Sequence, residues 1–312
     1  MKNSVVALML LAAVGTSVPA AAQRTPRPSR DAALEARLQE LATPFQGTVG
    51  IYVRHLRSGR YAAIRADEVF PTASMIKVPI MLTLFQQIQD GRLGWLDTLT
   101  YRDSLLYSGE DDLLGKLRDS TPVPLAQVAM LSITTSDNTA SLWLQKLVGT
   151  GTVINAWLSG HGFDSTRVNS RTPGREDARS RYGWGQTTPR EMAELLVMIR
   201  EQRAVSPAAD QEMYRMLTRI YWNGEALSRV PPWVQAASKQ GAVDHSRSEV
   251  VLVNAPSGDY VFAVITKGQV DSSYTPDNEG HVLLRQVSAL LWSAFEPKHP
   301  WAPAPGVERF KP

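Results

Sequence analysis

The sequence predicts an α+β domain: an antiparallel sheet built from strands at both ends of the chain, flanked by the terminal helices, with a central all-α block packed beside it. Three observations carry this. Residues alternate at strand spacing near 48–64 and again within 234–266. The stretch between them, about 74–203, is dominated by helical apolar periods punctuated by Gly and Pro. Short hairpin-like connections join neighbouring strands, which favours antiparallel pairing. A cleft between sheet and helical block is then the natural place for a site. No internal repeat is visible.

Along the chain, Met1 and Lys2 give a short positive start, residues 5–14 are apolar, and Ala20-Ala21-Ala22 offers a small-residue cleavage site before Gln23. This pattern reads as a secretory signal peptide over 1–22, cleaved after Ala22. An uncleaved anchor fits less well, because the apolar run is shorter than the roughly 20 residues a spanning helix needs. The expectation is a periplasmic or secreted protein, with no membrane contact after cleavage. Residues 23–30 carry no apolar period and read as a linker. Apolar residues at helical spacing (Leu34, Leu38, Leu41) predict an amphipathic helix over 32–41. Strands follow at 48–56 and 61–64 across a Ser58-Gly59 turn, and at 234–243, 249–254 and 260–266, the last two joined by Pro256-Ser257-Gly258-Asp259. A closing helix is expected over 282–295. Pro297, Pro300, Pro303 and Pro305 deny the tail 297–312 a regular element. One domain over 31–296 results, with a sheet part (31–66 and 225–296) and a helical part (67–224).

Composition narrows the function. Of 312 residues, 43% are hydrophobic and 20% charged, which supplies a core and excludes global disorder. Lys plus Arg exceeds Asp plus Glu by 33 to 30, a surplus too small to mark a nucleic-acid binder. Cysteine is absent, so disulfides, thiol nucleophiles, Cys-containing zinc sites and iron–sulfur clusters are excluded. Covalent chemistry must use oxygen or nitrogen. There is no G-x-S-x-G, no G-x-x-x-x-G-K and no H-E-x-x-H, and the five histidines lie far apart. Gly149-Thr150-Gly151 follows a helical stretch and lacks a third glycine, so it reads as a loop. No metal or cofactor is called for.

Ser74-Met75-Ile76-Lys77, an S-x-x-K, opens an apolar helical run. Three residues apart on a helix, the amine shares a face with the hydroxyl and can act as its base, which a weakly nucleophilic serine requires. The helix N-terminus adds unpaired amides suited to an oxyanion. The alternative is an exposed lysine and a capping serine. Ser136-Asp137-Asn138 precedes a helical stretch and could equally be an N-cap. Lys239-Gln240-Gly241 lies inside a predicted strand, where a glycine often marks close approach by a ligand.

Taken in order, these residues resemble the class A serine β-lactamases and, more distantly, the penicillin-binding proteins, which combine S-x-x-K, S-D-N and K-T-G. Ser74 precedes Ser136 by 62 residues and Ser136 precedes Lys239 by 103, separations similar to that family's. Tyr107 stands where the family often has a cleft-rim aromatic, and Thr187-Thr188-Pro189 opens a helix after a long loop. The resemblance implies a β-lactamase/transpeptidase-like fold and a monomer acting on a small β-lactam or acyl-peptide. It implies Ser74 as acylated nucleophile, Lys77 as base, Ser136 as proton donor to the leaving nitrogen, and Asn138 as holder of the substrate's side-chain amide. Lys239 would polarise Ser136, attract a substrate carboxylate, and lower the Lys77 pKa by its charge. The amides of Ser74 and Ala242 would form the oxyanion hole, with Gln240 and Gly241 beside them.

Two departures stand out. Gln240 replaces the usual hydroxyl residue; its amide can still donate to a carboxylate, but with a longer reach. The loop 163–186 lacks the family's E-x-x-L-N, and the glutamate that activates the deacylating water has its counterpart close to Thr172. Glu176 is the nearest glutamate; it either reaches the site through a differently folded loop or pairs with Arg175, Arg179 or Arg181 at the surface. Without that base the acyl-enzyme would persist. Three activities remain open: a β-lactamase, a D-alanyl peptidase or esterase with slow deacylation, and a non-catalytic wall-peptide or β-lactam binder.

Overall fold

The computed structural model describes residues 27–107 and 112–312. The expected signal segment 1–22 lies outside the described residues. In chain order the first part contains β1 (Ser29–Arg30), α1 (Ala32–Ala42), β2 (Thr48–His55), β3 (Arg60–Ile64) and β4 (Phe70–Pro71). The middle contains α2 (Lys77–Gln89), β5 (Thr98–Thr100), β6 (Pro122–Pro124), α3 (Leu125–Thr134), α4 (Asn138–Leu147) and α5 (Thr150–Gly160). Then come β7 (Arg167–Val168), α6 (Glu176–Tyr182), β8 (Gly185–Thr187), α7 (Pro189–Arg200) and α8 (Pro207–Leu217). β9 (Ala236–Val243), β10 (Ser246–Val253), β11 (Tyr260–Lys267) and α9 (Glu279–Phe295) complete the chain's main elements.

The large sheet runs β1-β3-β2-β11-β10-β9, so strands from the two chain ends meet where β2 pairs with β11, Ile51 opposite Val264. Side chains alternate across a strand, and the two faces therefore feed two cores. Ile51, Val53, Val251, Val253, Phe262 and Val264 join Leu38 of α1 and Val287, Leu291 and Trp292 of α9. The intervening Tyr52, Val250, Leu252, Val261, Ala263 and Ile265 face Met192, Leu195, Leu196 and Ile199 of α7. Gly50 lets α7 and β4 come close on this face, because a Cβ there would sit 2.6 Å from the Phe70 ring and 2.8 Å from Pro189. The helical block is organised around α2, apolar and buried from Val78 to Phe85, as expected of a helix enclosed on all sides.

The structure differs from the sequence reading in several places. The block expected to be all-α also carries five short strands, β4 to β8, in two small sheets, each too short for a periodic signal. Gly149-Thr150-Gly151, read as a loop, instead caps and opens α5. Ser29 and Arg30, at the end of the expected linker, pair in parallel with Arg60 and Tyr61; two residues are too few for a periodic signal. β10 starts at Ser246, three residues before the predicted strand, because buried Ser246, Arg247 and Ser248 disguise its first turn as polar loop. The proline-rich tail forms a 3-10 turn at Val307–Phe310, and Trp301 packs against the α1/α9 core. Among the described residues, no helix is long and apolar enough to cross a membrane.

Candidate active site

The strand β9 is the open edge of the large sheet, and the segment 72–76 runs along it. Gly241 makes the approach possible: a Cβ there would stand 2.6 Å from the Thr72 carbonyl oxygen and 3.0 Å from the Ala73 Cβ. Ala73 takes a left-handed backbone, φ 44°, and Ser74 follows within a 3-10 turn, Ala73–Ile76, that leads into α2. In a 3-10 turn residues i and i+3 eclipse, so Ser74 and Lys77 still share a face. Ser136 is also left-handed, φ 62°, just before α4. Each such non-glycine residue costs of order 1–3 kcal/mol, held only where the surroundings over-determine it. At Ser136 they do. Asp137 caps α4 through Ala140 N–H at 2.7 Å, while Asp112 accepts Asn138 N–H and Thr139 N–H, both at 2.8 Å. Two carboxylates thus pin the helix N-terminus that carries Ser136 and Asn138.

Lys77 is fully buried and points across to this turn. Its ammonium donates to the Ser136 carbonyl, to Ser136 Oγ at 3.1 Å and to Asn138 Oδ1 at 2.8 Å. With those three donors placed, no bond to the Ser74 hydroxyl forms among the described residues. Lys239, also fully buried, donates to the same Ser136 Oγ at 3.0 Å and to Gln240 Oε1 at 2.7 Å. Ser136 Oγ therefore accepts from two amines and keeps its own proton free to give. Burial pushes Lys77 down to about 7, against the opposing pull of Asp112 and Asp137. Lys239 is lowered well below its ordinary value, first by burial and then by Lys77. The leading cause at Lys77 is desolvation, where the sequence pointed to the charge of Lys239.

Ser74 is half-buried and opens onto a cavity of about 750 Å³ with Asn138, Ala242, Tyr107, Trp184, Lys267 and Tyr274 in its walls. Ala242 lies opposite Arg247, whose own amide turns away to Thr266 Oγ1 at 2.8 Å. The pair is of the non-hydrogen-bonded kind, so the Ala242 N–H faces the free edge of β9, beside Ser74. The Tyr107 and Trp184 rings meet edge-on at 5.2 Å across the rim.

Glu176 is placed elsewhere, which corrects the expectation that it could reach the site. It is exposed at the start of α6, does not line the cavity, and accepts Gly174 N–H at 3.2 Å. Among the described residues it pairs with no arginine. Arg175 instead bridges Asn169 Oδ1 and Gln186 Oε1, at 2.8 and 2.7 Å, and closes the neck of the loop. Thr172 turns onto its own loop, donating to the Ser170 carbonyl at 2.9 Å. Asp244 is the one carboxylate among the described residues that line the cavity. Sequence reasoning missed Asp112, which carries no motif, and the wall residues Trp184, Lys267 and Tyr274, which converge only through the fold.

A model of the Beta-lactamase enzyme family matches residues 33–295. A curated beta-lactamase of Streptomyces fradiae is 25% identical over 301 residues, covering 94% of this chain and 96% of that protein. Among solved structures, PBP-A superposes with a TM-score of 0.78 at 28% identity, covering 88% of this chain and 99% of that one. The beta-lactamase of Sphaerobacter thermophilus shares the fold, with a TM-score of 0.75 at 22% identity over 86% of this chain and 99% of that one. With a family match that spans most of its length, over two buried lysines that meet at Ser136 beside the edge of an antiparallel sheet, the chain belongs to the beta-lactamase enzyme family.

Proposed function

We propose that the protein is an exported serine acyl hydrolase that opens β-lactams through an acyl-Ser74 intermediate and releases the product slowly. The observation that carries it is the pair of buried amines sharing Ser136 Oγ next to a half-buried Ser74 at the cavity floor. In the acylation step the Ser74 Oγ–carbonyl bond forms as the ring C–N bond breaks. Lys77, in its neutral form, takes the Ser74 proton, and Ser136 passes its own to the departing nitrogen, recovering one from the amines. The Ser74 and Ala242 amides receive the oxyanion, a contribution of about 2.7–4 kcal/mol per donor in enzymes of this kind. Asn138 offers its side-chain amide to the acyl group from the cavity wall.

Slow release follows from the loop 163–186, which contributes Arg181, Tyr182, Gly183 and Trp184 to the cavity and no carboxylate. A second reading, a penicillin-binding-type peptidase or esterase, is favoured by the likeness to PBP-A, a variant of which was solved as an acyl-enzyme complex with penicillin G. Intact-mass time courses with penicillin G and a chromogenic cephalosporin test both. The expected result is a Ser74 adduct that accumulates faster than it decays and is absent in Ser74→Ala; no adduct sinks the acyl-enzyme reading. Turnover of acyl-D-alanyl peptides or esters in preference to lactams would select the second. Export is read from residues 1–22, and N-terminal sequencing of protein recovered outside the cytoplasm is expected to start at Gln23.

A further inference from the structure

Lys239 shares with Lys77 the hydroxyl of Ser136, the proton donor to the leaving nitrogen in the proposed acylation, and all three of its ammonium hydrogens are already placed. They go to Ser136 Oγ at 3.0 Å, to the Gln240 carbonyl at 3.1 Å and to Gln240 Oε1 at 2.7 Å, the shortest of the three. An ammonium has three donors and no more. A carboxylate entering from the cavity therefore finds no free hydrogen on Lys239 and must first turn out the Gln240 amide. Lys77 offers no substitute, since Ser136 and Asn138 occupy it in the same way.

Gln240 is half-buried on β9, between the buried Lys239 and the close-packed Gly241. With Oε1 engaged, its NH₂ has no partner among the described residues and can donate to a neutral carbonyl or ester oxygen. A glutamine in this position acts as a built-in, uncharged occupant of the lysine.

We propose that Gln240 sets leaving-side specificity: by holding Lys239 with its own amide oxygen, it favours acyl donors whose leaving side is a neutral ester or amide over those with a free carboxylate there. The inference rests on the acyl-Ser74 reading, and the bonds made and broken at Ser74 are the same for both classes of donor.

The test compares second-order acylation by penicillin G and by its methyl ester, followed by intact mass, located on the Ser74 peptide and normalised to each compound's alkaline hydrolysis. The wild-type protein is expected to take the ester at least as fast as the acid. Gln240→Thr, whose short hydroxyl frees a hydrogen on Lys239, is expected to shift the ratio toward the acid by about tenfold or more, through tighter binding. A wild-type preference for the acid of about tenfold, or a ratio unchanged in the variant, overturns the proposal while leaving the acyl-enzyme intact. The wild-type ratio stands even if the variant fails to fold. No Ser74 adduct from either compound overturns the acyl-enzyme reading and this inference together.

Discussion

In the proposed acylation Ser136 is the residue on which the chemistry turns, because its hydroxyl accepts from two buried amines and keeps its own proton to give. Lys77, drawn down to about 7, is increasingly neutral as pH rises through that value. Ser74 acylation is accordingly expected to rise with pH about a midpoint near 7, measured as the second-order rate between pH 5 and 9, and a flat profile would remove Lys77 as base. The same burial has a stability sign. The unfolded lysine holds its proton to about 10.4 while the folded one releases it near 7, so the unfolded state binds more protons between those values and this contribution to stability grows with pH. Glu176, exposed and bonded to Gly174, is expected to be silent: Glu176→Gln leaves the acyl-enzyme lifetime unchanged in the same mass assay.

At the scale of elements, the site is a junction of three: the 3-10 turn at 73–76, the N-terminus of α4 and the edge strand β9. Their separation is set by Gly241 against Thr72 and Ala73. In Gly241→Ala the added methyl, 2.7 Å from Ser248 Oγ and 2.6 Å from the Thr72 oxygen, has backbone on one side and must push β9 away. Overpacking of this kind costs about 1–3 kcal/mol, and a shift near 1 Å between nucleophile and oxyanion donors lowers acylation on the order of 10²-fold. Thermal unfolding and acylation rates on the same sample check both parts. Most of these elements were legible beforehand. The strands β2, β3, β9 and β11 with α1 and α9 follow from period, and the start of α7 at Thr188 from the family resemblance, whereas β1, β4 to β8 and the first residues of β10 did not, being too short or, in β10, too polar.

On the scale of the whole molecule, two cores lie on opposite faces of one sheet, the cleft opens at its β9 edge, and the tail adds to the outer core. Trp292 Nε1 donates to the His299 carbonyl at 2.8 Å, Lys311 reaches Asn223 at 3.0 Å, and Trp301 packs beside Trp233. Deleting 297–312 uncovers this face, which shares no residue with the Ser74 cavity. The expected outcome is a melting temperature lower by several degrees, at about 2–4 °C per kcal/mol lost, with the acylation rate kept.

By itself the sequence determined the sheet-and-helix architecture and the three motifs, because apolar period and residue type are local properties of a chain. The tertiary structure decided what those residues face. That Lys77 and Lys239 meet at one hydroxyl, that Gln240 fills the two remaining donors of its neighbour, and that Glu176 stands outside the cavity depend on how distant turns are packed. Burial and hydrogen-bond saturation belong to the assembled fold and have no signature at any single position.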